Sequence, residues 1–527
     1  MTKTQIFDKQ IKDWKIKYDN LATARQISED NLNGEIASLK KELAAKDRMI
    51  DSLFGIIKKL DEKVDALTEQ VAELTKKNAA LKETIAIQND QIAKLKSRID
   101  KDSNNSSKPP STDGFTKTVQ NNREKSDRKI GGQPGHKGHG LSRFASPTEI
   151  REKKVHVCEC GGVVESDAVY EAKQLADINV TVSITEERVF GGTCRTCGKR
   201  HYAESSEDYI NPVQYGENIK ALAALLNNHG CVSVNRTREI INSITGNQLN
   251  ISDATIVNIQ KSLSGKLGKT LADIRENLLN SRVLNADETG ASVNAKRNWI
   301  QVFSNKLFTL CGYNSKRGTV SIEEMDILDC FTGILVHDHF SSYYKNSLAT
   351  HSECNAHILR YLKGIMEVFK HEWAKEMTGL LADTLKRKKE CMAAGKDSLD
   401  PVELEEISKR YDFILANGQR EYEDLIRGKK RISYANDERL LLKRFNEFKN
   451  EHLRFITNFD APFDNNQAER DLRCFKTKMK VSGCFRSEKG IDSFVKTYSV
   501  ISTLKKHKLG IYKSIRDIFA GNVLTFQ

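Results

Sequence analysis

VLNADETG, residues Val283–Gly290, is a short apolar run that stops at two adjacent acids. Period-two alternation sets Val283, Asn285 and Asp287 on one strand face and turns Glu288 to the other. Asp287 is then a carboxylate at a strand end, and Glu288 at most a supporting residue. A second run, FTGILVHDHFSSYY, has the same form, with Ile334, Val336 and Asp338 on one face of a strand that ends on an acid. Between the two, NWIQVFSN and KLFTLCGYN read as further strands bounded by turn residues, and SIEEMDIL as a polar helical piece.

Two carboxylates at neighbouring strand ends repel unless a positive charge lies between them. Divalent metal answers that need, and Mg2+ (or Mn2+) favours a few carboxylates completed by phosphate oxygens and water. A third acid is expected from elsewhere, and DNNQAERDLRCFKTKMKVSG offers one. Asp464 or Asn465 caps a helix that carries Glu469 in its first turn, with Asn466 and Arg473 on the same side. From Arg470 to Arg516 thirteen Lys and Arg stand against three acids. Arg470, Arg473, Lys476, Lys478, Lys480 and Arg486 are therefore candidates to hold phosphates around Glu469. For Glu469 alone, an ordinary helical ion pair with Arg470 or Arg473 is the simpler account; the two aspartates change that.

The rest of the chain bounds the partners. Its 527 residues carry 84 Lys and Arg against 71 Asp and Glu, a formal charge of +13, which favours a polyanion and nucleic acid before membrane. No segment approaches the roughly 20 apolar residues of a membrane span, and the polar N-terminus lacks a secretory h-region. Eleven cysteines, an odd number in a long chain, argue against a secreted disulfide framework. The expectation is a cytoplasmic, nucleoid-associated protein.

Residues 1–100 carry a heptad repeat, with a positions from Ile36 through Val71, Asn78, Ile85 and Ile92 to Ile99, and d positions from Leu39 through Leu81 to Leu95. β-Branched a with Leu d predicts a parallel two-stranded coiled coil, and hence a homodimer. Residues 101–150 form a Pro- and Gly-rich linker with nine Lys and Arg against five acids, from which Arg128, Lys129 and Lys137 can reach DNA phosphates. A solvated spacer fits the same composition. Residues 151–212 contain Cys158 and Cys160 in VCECGG, and Cys194 and Cys197 in CRTCG, separated by EAKQLADINVTVSITEERVF, which alternates like strands. Two cysteine pairs, each followed by Gly, suit a structural Zn2+ site, with His156 as a substitute ligand for the tight CEC half. Residues 213–278 read as helices, with a candidate helix-turn-helix in the last two, although plain packing fits its few basic side chains better. Residues 279–368 and 458–527 are then two parts of one catalytic core, split by a charged helical insertion at 369–457.

In their order along the chain, the zipper, SSKPPSTDG, GGQPGHKGHG, the cysteine pairs, ADETG, HDHFSSYY, HSECNAHILRYL, NNQAERDLR and SGCFRSEKG resemble a transposase of the insertion sequence 66 family. The resemblance implies a multidomain α/β protein: a coiled coil, a zinc-binding domain, a helical DNA-binding region, and a ribonuclease-H-like mixed-sheet core with a helical insertion. It implies a DDE enzyme in which Asp287, Asp338 and Glu469 match the catalytic, metal-holding triad. The family carries a similar His, Cys and Arg pattern at HSECNAHILRYL, so His357 and Arg360 are expected to support the site or DNA, rather than His351, Cys354 and His357 forming a zinc centre. Small accessory proteins of the same element are further expected partners. CEC departs from the family's CxxC and bears on the zinc ligands alone. Two rivals stand beside the enzyme: a non-catalytic, dimeric, zinc-containing DNA-binding regulator on a nuclease-like fold, and a coiled-coil scaffold whose basic tract binds nucleic acid without sequence preference.

Overall fold

A computed structural model describes residues 142–526 apart from 166–169, 207–208, 346–347 and 428–434, together with 71, 75–85, 87, 88, 91, 92, 95 and 135. Most of the heptad repeat and the linker residues Arg128, Lys129 and Lys137 lie outside the described residues. Within the repeat, residues 75–85 are helical, and the a and d side chains Val71, Leu81, Ile85 and Ile92 are exposed.

The described chain forms two compact units, the smaller within 114–209 and 242–250, the larger from 210–241 and 251 onward. The smaller unit contains a hairpin of β1 (Gly191–Thr193) and β2 (Arg200–Tyr202), paired antiparallel. The alternating stretch before it forms no strand beyond Gly191, contrary to the sequence pattern. Its apolar residues have no sheet partner to bury against: Leu175 is 94% and Ile178 85% exposed.

The larger unit begins with α1 (Glu217–Ala224), which runs into a π-helical turn over Leu225–His229, then α2 (Val234–Ile244), α3 (Asp253–Lys266) and α4 (Gly268–Leu279). Ser252 caps α3, its Oγ accepting from Thr255 N at 3.1 Å. Ile256, Ile259 and Leu263 of α3 are buried, so one face of the second helix in the candidate helix-turn-helix serves packing.

The sheet contains β3 (Val283–Val293), β4 (Lys296–Ser304), β5 (Thr309–Asn314), β6 (Ile334–His337) and β7 (Thr350–Glu353), in the order β5-β4-β3-β6-β7. The first three are antiparallel; β6 and β7 are parallel to β3. β3 corrects the sequence reading. It does not end at Asp287 but continues through both acids and turns at Asn294 and Ala295, whose φ values of 47° and 61° suit a tight hairpin turn. Phe485, from SGCFRSEKG, bridges the hairpin tip, with Asn294 N donating to Phe485 O at 2.8 Å.

SIEEMDIL yields only the short α5 (Thr319–Glu323). Then come α6 (Asn355–Val368), α7 (Glu372–Ala393), α8 (Pro401–Ile426), α9 (Asn436–Glu447), α10 (Lys449–Thr457), α11 (Asn466–Ser482), α12 (Glu488–Lys506) and α13 (Ile511–Phe519). One core packs Ala291, Val293, Ile300 and Val302 of the sheet under Leu472 and Phe475 of α11 and Phe494 of α12. A second core lies within the α6–α10 helices around Trp373, Tyr411 and Phe445. Asp287 shares the strand face of Ala291 and Val293, so it faces the layer that holds α11.

Candidate active site

Asn285 pairs with Val336 across the parallel strands β3 and β6. Two residues further on, the same register sets Asp287 opposite Asp338, which follows the last residue of β6. Asp287 Oδ1 accepts from Glu288 N at 2.8 Å, and Asp338 Oδ1 from Phe340 N at 3.2 Å. Burial, then the charge of Asp338 and more weakly that of Glu469, push the Asp287 carboxyl up to about 8. Burial also raises Asp338, against the Phe340 N–H and the cations Arg444 and Arg317.

Glu469 sits in the first turn of α11. The start of this helix is fixed by Asn465, fully buried, whose Nδ2 donates to Ala286 O at 2.7 Å and whose Oδ1 accepts from Asn285 Nδ2 at 2.9 Å. A single amide thus ties the glutamate's helix to the residues beside Asp287. Asp464 Oδ1 accepts from Asn466 N at 3.0 Å, whereas the Asn465 side chain makes no hydrogen bond to the helix N–H groups. Glu469 Oε1 is buried without a hydrogen bond, with His357 Nε2 at 3.8 Å and Arg360 Nη2 at 3.9 Å. Burial, with Arg360 and Arg444, lowers His357 to about 4, so its imidazole is neutral near pH 7.

The sequence trio His351, Cys354 and His357 is divided. Cys354, His357 and Glu469 bring their ligand atoms within 4.8 Å of one another. Burial pushes the Cys354 thiol up to about 12, and its sulfur accepts from Asn465 N at 3.1 Å. His351 instead meets His337, Nδ1 to Nε2 at 2.9 Å, and burial lowers His337 to about 3.

Sequence reasoning missed a buried charge cluster beneath Asp338. Glu353 ends β7 with no exposed surface, yet it accepts from Arg444 Nε at 2.7 Å, His452 Nε2 at 3.0 Å and Tyr344 Oη at 2.7 Å, and it meets His339. Burial alone would raise its carboxyl; the His339 and His452 hydrogen bonds and the Arg444 charge hold it far below the usual carboxylate range. Arg444 and His452 belong to the helical insertion, so the insertion reaches the site through this cluster.

Along α11, Glu469, Arg473, Lys476 and Lys480 recur at helical spacing on one side, and the three cations are exposed. The charge of Lys476 is felt at Asp287. Arg470 and Arg486 are exposed as well. Lys478 is a correction: it is only 6% exposed, and its Nζ donates to Asn227 O at 3.0 Å and Val232 O at 2.8 Å. That ammonium satisfies two carbonyls around the π-helical turn and cannot also grip DNA. Glu288, on the other strand face, pairs with Arg317, Oε1 to Nε at 2.5 Å.

In the smaller unit each cysteine pair forms its own turn. Cys158 N donates to Gly162 O and Cys194 N to Lys199 O, both at 2.8 Å. Gly161 and Gly198 take φ values of 87° and 72°, which a side chain would strain. N–H groups directed at the sulfur and the Cys197 thiol bring Cys194 down to about 7, and Gly162 and Cys158 lower Cys160. Each half suits thiolate ligands, but the four sulfurs are not gathered into one cluster; among the described residues Cys354, His357 and Glu469 form such a group.

Comparison with protein families gives a match to the Transposase IS66 family over residues 212–493, more than half of the chain, and to a family of unknown function over residues 21–142. No curated protein matches the chain. No helix among the described residues is long and apolar enough to cross a membrane.

Proposed function

The chain belongs to the IS66 transposase family, and on that premise we propose that it is a DDE transposase with a ribonuclease-H-like core, cleaving DNA at the element's ends and joining the freed 3′-hydroxyl to target DNA. The observation that carries this reading is Asp287 opposite Asp338, with the charge of Glu469 felt at Asp287. Buried acids that repel one another, beside a carboxylate oxygen without a hydrogen bond, fit a divalent cation. Asp287, Asp338 and Glu469 would hold it. Mg2+ or Mn2+ supplies positive charge for the attacking and leaving oxygens of a phosphodiester.

The chain's own groups do the rest. Asp287 would act as a ligand in its ionised form. Arg473, Lys476 and Lys480 line up the strand along α11, with Arg470 and Arg486 at its margins. His357 and Arg360 stand beside Glu469 as supporting residues, Arg360 supplying a positive charge and His357 a neutral imidazole. The heptad repeat pairs two protomers so that two element ends are handled together, in keeping with exposed apolar a and d side chains. Structural Zn2+ on Cys158, Cys160, Cys194 and Cys197 is supported by two thiolate-favouring turns. DNA is the partner, and the linker cations Arg128, Lys129 and Lys137 extend its contact.

The test uses a labelled duplex of the terminal repeat with Mg2+ or Mn2+. Wild-type protein should nick the end and join it to a second duplex, and Asp287→Asn should bind the end without cutting it. Cleavage that survives in Asp287→Asn defeats the triad. End binding by the wild type that never leads to cleavage favours the non-catalytic regulator.

A further inference from the structure

We propose that Arg317 is a DNA-contacting residue that holds a phosphate flanking the reacting one, on the sheet face opposite Asp287; this rests on the transposase reading above. Arg317 lies in the turn between β5 and α5. That turn is built rather than loose: Asn314 Oδ1 accepts from Lys316 N at 2.7 Å, and Gly318 has φ 87°, where a Cβ would come within 3.1 Å of Ser342 Oγ. The guanidinium carbon stands 4.6 Å from the Trp299 ring centre and 4.4 Å from that of Phe340, which follows Asp338 by two residues. Arg297 adds a second guanidinium over Trp299, also at 4.6 Å.

Three contacts thus hold Arg317, yet its side chain is 49% exposed, while that of Glu288 is 6% exposed. Among the described residues the Nε is the donor engaged, to Glu288, which leaves the outer N–H fork for a ligand. An arginine needed only to neutralise Glu288 would not require two aromatic rings to keep its plane fixed. A planar fork held rigid at a rim matches phosphate geometry and loses little freedom on binding.

The experiment is fluorescence anisotropy with a labelled terminal-repeat duplex and a scrambled duplex of equal length, over a range of KCl, with Ca2+ in place of Mg2+. Arg317→Ala alone would strand the Glu288 charge, so the Arg317→Ala/Glu288→Gln pair serves as the folded variant, checked by its melting temperature. The expected result is about tenfold weaker binding to both duplexes and a salt slope smaller by about one. Arg317→Lys should recover the slope but only part of the affinity. Wild-type affinity and slope in the double variant overturn the proposal, as does a changed sequence preference with an unchanged slope. Failure of the transposase reading looks different: the wild type itself then binds the terminal repeat no better than the scrambled duplex, and the proposal falls with it.

Discussion

Asp287 and Asp338 lie two residues past the last β3–β6 pair, Asn285 with Val336, and each carboxylate accepts from a backbone N–H just ahead in its own segment, Glu288 N and Phe340 N. The Asp287 carboxyl is raised from 3.8 to about 8, so folding favours its protonated form. Its contribution to stability is full below pH 4 and is lost as pH rises through about 8. Asp287→Asn should therefore raise the melting temperature of metal-free protein at pH 9, by the equivalent of about 1–3 kcal/mol, and not at pH 4. The same variant should lose most of the stabilisation that Mg2+ or Mn2+ gives the wild type. Thermal scans across pH with and without metal check both; a melting temperature at pH 9 below the wild type's would refute the linkage.

Glu353 runs the other way. Its carboxyl is held below the ordinary 4.5, so its contribution is present above that pH and lost on acidification. Arg444→Met should destabilise the protein by about 3–5 kcal/mol at neutral pH, because the buried carboxylate loses its cation. Glu353→Gln/Arg444→Met should recover much of that loss and unfold less steeply below pH 4.5. Urea melts at pH 7 and pH 4 separate the two variants.

Gly418 of α8 lets Trp373 approach: a Cβ there would come within 2.7 Å of the indole and 2.9 Å of Leu442. Gly418→Ala should cost about 1–3 kcal/mol through overpacking. Gly379 of α7 has nothing within 4 Å of its Cβ position, and Gly379→Ala should stabilise by up to about 1 kcal/mol. Equal effects at the two positions in chemical denaturation would contradict the packing described.

Cys231 Sγ lies 3.2 Å from Cys474 Sγ, and the Cys474 contact, with Lys478 nearby, brings Cys231 down to about 7. Diamide should oxidise the two thiols to a disulfide, each losing a hydrogen to the reagent. Peptide mapping should recover residue 231 joined to residue 474, and Cys231→Ser should remove that product. Separate alkylation of both thiols after diamide would speak against it.

Much of the candidate site's local structure is legible in the sequence because its signals are local. A strand pattern ending on Asp338, and a capped helix bearing Glu469, depend on neighbours a few residues away. The misreadings arise where distant residues supply what the local pattern lacks. β3 continues past its acids in antiparallel register with β4, and Arg317 neutralises Glu288 within that stretch. β7, THSE, goes unread as a strand, and Glu353 at its end is met by Arg444 and His452, 91 and 99 positions later. Lys478 reads as one more cation in a basic helix until Asn227 and Val232 take up its ammonium.

The Glu353 cluster also bears on how this molecule can change over generations. The sheet supplies the carboxylate, and the helices between Asn355 and Asn465 supply the arginine that neutralises it and the histidine that hydrogen-bonds to it. A hybrid that took those helices from a relative without Arg444 and His452 would leave the interior carboxylate without its cation and one of its hydrogen-bond donors. β7 and the insertion are therefore a matched set, and variation at residue 353 should track variation at residues 444 and 452.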